Sequence, residues 1–285
     1  MCDRLVGVLG ASSLVGTCLV PTLGNAGWRV IAFSRQMKAS DFDVEWRQLS
    51  PSSTFERILY WICVAPIWVL PEYLAWLEAC GARRIVALSS TSRFTKVGSD
   101  DTAEAAVAVR LIEAEECVQA WAESRGIEWV ILRPTLIYGF GHDKNISEIA
   151  RFIRRFGFFP VLGKATGLRQ PIHAKDVAVT CLAALEAPNA SNRAYSISGG
   201  ETLAYREMVA RVFAALGLRP RLLTVPLWTF HLAVAMLRYV PRYRQWSAAM
   251  AERMNSDLVF GHTEAVQDLG FEPRQFTLAA EDLPI

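Results

Sequence analysis

Apolar runs separated by helical patterns constrain this chain before any motif is considered. Arg4–Leu9, Arg29–Phe33, Arg57–Cys63, Arg84–Ser89 and Trp129–Arg133 read as strands, and Val15–Ala26, Leu70–Cys80 and Ala103–Arg125 as the helices between them. Strands that alternate with helices predict an α/β fold with a doubly wound parallel sheet, covered on both faces. In such a sheet ligands lie beyond the carboxyl ends of the strands, so the residues after each strand carry the functional information. After residue 140 the spacing loosens, with Gly139, Gly141, Pro160, Gly163, Gly167 and Pro171 close together. The expected organisation is a first domain over 1–165, with 170–198 returning to it, and a smaller C-terminal lobe over 199–285 for substrate.

The first strand runs straight into a turn of small residues: Leu5-Val6-Gly7-Val8-Leu9-Gly10-Ala11-Ser12-Ser13-Leu14-Val15-Gly16. A strand–turn–helix junction of this kind offers free backbone N–H groups and the positive end of a helix dipole to an anion. Gly10 permits the tight turn and Gly16 a close helix–strand approach. Ser13 stands where a third glycine is usual, and its hydroxyl suits a helix cap or a phosphate oxygen. Gly10, Ser12, Ser13, Leu14, Val15 and Gly16 are therefore the expected pyrophosphate cradle of a dinucleotide. The second strand ends in Ser34-Arg35, where a carboxylate would select NAD. A hydroxyl and a guanidinium suit a 2′-phosphate instead, which favours NADP over NAD, the alternative being a solvated Arg35.

Composition narrows the remaining classes. Thirty Lys and Arg against 28 Asp and Glu leave a net charge of +2, which gives no support for nucleic-acid binding. Cys2, Cys18, Cys63, Cys80, Cys117 and Cys181 lack metal-type spacing and read as reduced thiols of a cytoplasmic protein, with no metal site expected. Leu222 to Val240 is apolar but carries Pro226, His231 and Arg238. It reads as a buried or partner-facing helix, not a membrane span. Peripheral membrane contact through 222–246, using Trp228, Arg238, Arg242, Arg244 and Trp246, is the other reading.

Three later segments carry more specific signals: Ser89-Ser90-Thr91-Ser92 after the fourth expected strand, Arg133-Pro134-Thr135-Leu136-Ile137-Tyr138-Gly139 after the fifth, and Pro171-Ile172-His173-Ala174-Lys175-Asp176-Val177-Ala178. With the glycine turn and the ending Asp268-Leu269-Gly270-Phe271-Glu272-Pro273-Arg274, they resemble the extended short-chain dehydrogenase/reductase superfamily, NAD-dependent epimerase/dehydratase type. The resemblance implies a Rossmann-type domain with a substrate lobe, and a homodimer paired through the long helices, here Ala103–Arg125. It implies that Gly10, Ser13 and Gly16 bracket the pyrophosphate, that Ser90 matches the catalytic Ser/Thr, and that Arg133-Pro134 flanks the nicotinamide. Ala65 and Ser89 join the expected cofactor contacts. Gln48 departs from the family's usual aspartate near the adenine.

A larger departure lies on the helix after the serine strand. Family chemistry uses Tyr-x-x-x-Lys there: tyrosine exchanges a proton with substrate, and lysine lowers its pKa and holds the ribose. Counting back from Glu115 puts Val107 and Leu111 at those positions, and no Tyr or Lys occurs between residues 97 and 137. Tyr138, His142, Lys144 and Lys96 are the replacement acids to consider, with Tyr138 also expected as a packing residue and His173 as a bond at the lobe junction. Three functions remain: an atypical NADP-dependent oxidoreductase on a small or apolar carbonyl or hydroxyl substrate, with Trp228, Phe230 and Trp246 lining its pocket; a dinucleotide-binding sensor or accessory subunit without turnover; and, third, a sugar-nucleotide epimerase or dehydratase.

Overall fold

A computed structural model describes residues 4–35, 44–49, 56–99, 101–226 and 253–284. Its centre is a parallel seven-stranded sheet: β1 (Leu5–Leu9), β2 (Arg29–Ser34), β3 (Val44–Gln48), β4 (Tyr60–Cys63), β5 (Arg84–Leu88), β6 (Glu128–Pro134) and β11 (Arg193–Ile197). The spatial order is β11-β6-β5-β4-β1-β2-β3, so the winding reverses between β1 and β4. The central strands are apolar on both sides because helices cover both faces: β1 and β5 are buried at every residue.

α1 (Leu14–Asn25) and α6 (Ala174–Glu186) cover one face, over a core that includes Val6, Val8, Ile62 and Val130. α2 (Leu74–Ala79) and, after the short α3 (Ser92–Thr95), α4 (Thr102–Ser124) cover the other, over Ile31, Trp61, Ile85 and Ile131. Trp61 on β4 pairs with Gly7 on β1 and is fully buried, 5.5 Å from Phe33 and 5.1 Å from Trp76. A Cβ at Gly7 would meet the Trp61 ring at 2.4 Å, so the missing side chain admits the indole. That burial is worth about 2 kcal/mol or more for the indole alone.

A third core forms the smaller lobe. It joins α5 (Ile146–Phe156) and β8 (Phe159–Leu162) to α7 (Tyr205–Ala215), Met254, Phe276 and Leu283. Residues 146–162, within the expected 1–165 unit, thus pack with the C-terminal residues. Short pairs tie this lobe to the sheet: β7 (Ile137–Tyr138) with β10 (Ile172–His173), and β9 (Leu168–Arg169) with β12 (Leu203–Ala204).

Several expectations change. Val44–Gln48 is a strand that its charged pattern conceals, lying at the sheet edge beside β2. The strand expected from Arg57 starts at Tyr60, because Arg57 to Leu59 run in from outside the ladder. A 3₁₀ helix (Ile67–Tyr73) opens the segment expected as Leu70–Cys80. Leu222–Val225 forms β13 alongside β8 where a helix was expected, and residues 227–246, with Trp228, Phe230 and Trp246, lie outside the described residues. Among the described residues no helix is long and apolar enough to cross a membrane.

Candidate functional site

The reversal between β1 and β4 is the point at which sheets of this kind open a ligand crevice. On its β1 side Gly10 turns with φ 81°, and a Cβ there would meet the backbone N of Ala65 at 2.5 Å. Gly10 therefore serves the approach of the β1 and β4 ends, and does not simply clear space for a phosphate. Gly16 is equally constrained, since its Cβ would stand 2.5 Å from the carbonyl oxygens of Gly10 and Ala11. Ser13 caps α1: its Oγ accepts from Gly16 N at 3.1 Å and donates to Val64 O at 3.4 Å. Ser12 is exposed, Leu14 half-buried, and Val15 packs into the core. With Gly16 N taken by the cap and Thr17 N by Ser13 O, the amides of Leu14 and Val15 are the first-turn donors that an anion could use. Ser34 is buried at the end of β2 and Arg35 exposed beside it, with no carboxylate at either position.

Across the crevice, β5 delivers Ser89 to Ser92, and α4 supplies a residue that the sequence reading used only as a counting mark. The Glu115 side chain is fully buried and accepts hydrogen bonds from Ser89 Oγ, Arg93 and Arg133, the last through Nη2 at 2.6 Å. Both guanidiniums also lie over the Phe94 ring, 5.2 and 5.3 Å from its centroid. Glu115 falls on the buried stripe of α4 with Ala108, Leu111, Ala114 and Val118. A carboxylate on an apolar stripe was the available signal, because a buried charge needs partners. Thr91 Oγ1 donates to Pro134 O at 3.2 Å. Ser90 Oγ accepts from Ser92 N at 3.1 Å, an arrangement that leaves its own proton uncommitted.

Two cavities meet at these serines. One of about 240 Å³ is enclosed by Pro66, Trp68, Ser89, Ser90, Val107 and Leu111, among others. Val107 and Leu111, the positions counted for Tyr and Lys from the resemblance, thus line the same cavity as Ser90 with apolar side chains. The second, about 550 Å³, extends from Ser89 to Ser92 toward the smaller lobe and is lined also by Lys96, Arg169, Tyr205 and Arg253. Arg169 is buried and donates to the carbonyls of Leu168 at 2.7 Å and Ser256 at 2.8 Å, and burial lowers its pKa. Burial pushes the neighbouring Tyr205 up to about 12, against the opposing pull of Arg169 and Arg253.

Tyr138 does not line either cavity. It is buried in the smaller-lobe core, donates to Thr277 O at 3.1 Å, and burial pushes it up to about 12. Its aromatic body belongs to lobe packing, so the structure removes it from the Ser90 cavity as a proton donor. His173 caps α6 by accepting from Lys175 N at 3.1 Å and bonds Asp282 through Nε2 at 3.0 Å, at the lobe junction. His142 and Lys144 are exposed on the loop after β7, and of the replacement acids only Lys96 reaches the Ser90 cavity.

Residues 72–198 match the model of the NAD dependent epimerase/dehydratase family. That match covers a little under half of the chain. The family resemblance of the serine, RPxxxYG and PIHAKDVA segments is thereby borne out, and with it the Rossmann-type sheet. Over 167 residues, 57% of this chain and 47% of its relative, the chain is 26% identical to a UDP-glucose 4-epimerase of Vibrio cholerae. Over 128 residues, 45% of this chain and 31% of its relative, it is 26% identical to the mitochondrial NADH dehydrogenase [ubiquinone] 1 alpha subcomplex subunit 9 of Arabidopsis thaliana. The chain thus spans less than half the length of either curated relative. The solved UDP-glucuronic acid 4-epimerase of Bacillus cereus, in complex with NAD, superposes with a TM-score of 0.70 at 14% identity, covering 98% of this chain and 95% of that one. At that identity the likeness is one of fold. The shared fold is therefore present here with two apolar side chains, Val107 and Leu111, lining the cavity beside Ser90.

Proposed function

We propose that this protein binds NADP(H) across the head of its sheet and holds it beside a substrate cavity without a tyrosine–lysine proton relay. The observation that carries this reading is the pair Val107 and Leu111 in the wall of the cavity that contains Ser89 and Ser90. The turn from Gly10 to Gly16 and the amides of α1 fit the pyrophosphate, Arg35 the 2′-phosphate, and Ala65, Ser89, Arg133 and Pro134 the nicotinamide half. A nicotinamide dinucleotide supplies hydride exchange when bound. The accompanying proton has to come from the chain, and the described residues lining the smaller cavity offer only serine hydroxyls. A serine unaided by a base is a poor proton carrier near neutral pH, which favours a binding, sensing or accessory role.

A second reading, an NADP-dependent oxidoreductase, draws on the adjoining cavity. There Lys96, Arg169 and Tyr205 share with Ser90 a space of about 550 Å³, enough for a small substrate and a relayed proton. The sugar-nucleotide reading suggested by the relatives' names stands third, because it needs a group at position 107 to take a sugar hydroxyl proton.

Titration of NADPH and NADH against intrinsic tryptophan fluorescence, followed by a carbonyl panel monitored for cofactor oxidation, separates these readings. Saturable binding with no turnover is the expected result. Turnover abolished by Ser90→Ala would transfer the site to the oxidoreductase reading, and absence of binding by both nucleotides would end both.

A further inference from the structure

The smaller lobe carries a third cavity that no part of the nucleotide site uses. It measures about 960 Å³, near the upper end of the roughly 300–1,000 Å³ range of ligand pockets. Its floor is aromatic, because α5 ends at Gly157 (φ 74°) and the chain turns straight into β8, bringing two more phenylalanines beside the helix. Phe152 lies 4.6 Å from Phe156, 5.9 Å from Phe158 and 5.5 Å from Phe159. Phe156 is 49% exposed, a cost in water that a bound apolar group would remove.

Two further features define the occupant. The cavity shares Leu136, Asn145, Tyr205 and Met254 with the 550 Å³ cavity that begins at Ser89, so one molecule can reach both. Its rim is cationic: Lys144, Arg151 and Arg155 against the single carboxylate of Glu148. Glu148 is paired with Arg151 at 2.6 Å, while Arg155 lies over the Phe156 ring at 5.2 Å. Among the described residues neither Lys144 nor Arg155 has a carboxylate partner. An apolar floor with surplus positive charge at its edge is complementary to an anionic amphiphile.

We infer that this cavity binds the apolar arm of an anionic amphiphile, an acyl or isoprenoid chain bearing an acid, as an extension of the Ser90 cavity. The inference rests on the reading of the Ser90 cavity as the substrate site, and it names the substrate class as chain-bearing.

The test uses the full chain and calorimetric titration with octanoate, decanoate and dodecanoate, each below its micelle concentration, with dodecyltrimethylammonium as the cationic control. Each methylene buried adds at most about a factor of four in affinity, so dodecanoate is expected to bind at least tenfold tighter than octanoate and tighter than the ammonium. Phe156→Glu, at an exposed position that leaves the lobe core intact, and Phe152→Glu should each weaken dodecanoate about tenfold or more, by setting a carboxylate against the ligand. NADPH affinity should not change in either variant. No binding by dodecanoate, no dependence on chain length, or equal binding of the ammonium would overturn the inference. So would adsorption to phosphatidylglycerol vesicles without binding of monomeric dodecanoate, which would make the phenylalanines a membrane-facing patch. Dodecanoate binding in a chain that binds neither nucleotide would support the cavity while refuting the nucleotide reading, so the two fail separately.

Discussion

Glu115→Gln tests whether one buried carboxylate organises the serine side of the crevice. The Glu115 side chain is fully buried, while those of Arg93 and Arg133 are 18% and 14% exposed. Neutralising it leaves two guanidiniums with one partial acceptor between them. Removing one member of a buried ion pair costs about 3–5 kcal/mol. The retained amide oxygen and the water access of both arginines reduce this to about 2–3 kcal/mol, comparable to losing one or two hydrogen bonds to a charged group. In a domain of this size that corresponds to a fall in Tm of about 5–10 °C. Urea unfolding with the slope m unchanged is the matching equilibrium readout. Glu281→Gln is the control: its pair with Lys175 is about half exposed on each side and should be worth less than about 1 kcal/mol. Because Ser89 and Arg133 both lean on Glu115, NADPH affinity should fall with stability in the variant. Equal small losses in Glu115→Gln and Glu281→Gln would refute the reasoning, since the triad would then be no more than a surface pair in its energetics.

Gly7→Ala should destabilise by about 1–3 kcal/mol, the usual cost of overpacking a core, because the new Cβ meets the Trp61 ring at 2.4 Å; denaturant unfolding with a change under 0.5 kcal/mol would contradict it. Gly10→Ala should lose both stability and NADPH binding, since the side chain meets Ala65 N at 2.5 Å and a left-handed residue must carry it; normal unfolding with binding lost would instead restore a purely phosphate-clearing role. Arg35→Ala should weaken NADPH more than NADH in the fluorescence titration, by about tenfold for a lost charge-assisted contact, and equal losses would refute the 2′-phosphate assignment. Burial works to raise the carboxyl of Asp282, but bonds from His173, Ala279 N and Phe140 N outweigh it and hold its pKa below the ordinary value. A depressed carboxyl stabilises the fold above its unfolded value of about 4 and loses that contribution as pH falls through its folded value. Tm should therefore drop below about pH 4 in the native chain, more steeply than in Asp282→Asn; parallel curves would count against it.

What could be read from the residues divides along physical lines. β1, β2, β5 and β6 were legible because a parallel sheet buried on both faces needs short uninterrupted apolar runs, here alternating with helical patterns. β3 was not, because an edge strand meets the core on few residues: its sequence Val-Glu-Trp-Arg-Gln reads as surface, and pairing with β2 is what orders it. The glycine turn was legible in position but only half so in purpose. Gly10 and Gly16 look like space left for a ligand, whereas their missing side chains mainly admit neighbouring backbone, an effect that depends on where β4 ends and is written nowhere near residue 10.

The same asymmetry separates the two halves of the site. Local motifs located Ser89, Ser90 and Arg133, but the group that binds two of them together, Glu115, sits on a helix whose pattern otherwise reports packing. Val107 and Leu111 were recognisable as departures only against the family's spacing, and the structure adds what spacing alone cannot give: both line the cavity beside Ser90 while packing with the core under α4. If a nicotinamide lies beside Ser90 as proposed, an apolar pair in that wall offers it no proton donor and makes that side of the site drier. A bound dinucleotide would be held there by its pyrophosphate end and by apolar contact, not by a lysine on its ribose. Charge near the serines is instead stored in the Arg93–Glu115–Arg133 cluster, which carries one positive charge in excess of its carboxylate. That surplus lies where a negatively charged ligand would be steadied by forked guanidinium donors. Under the proposed function, such a wall and such a cluster would together hold a nucleotide and not react with it.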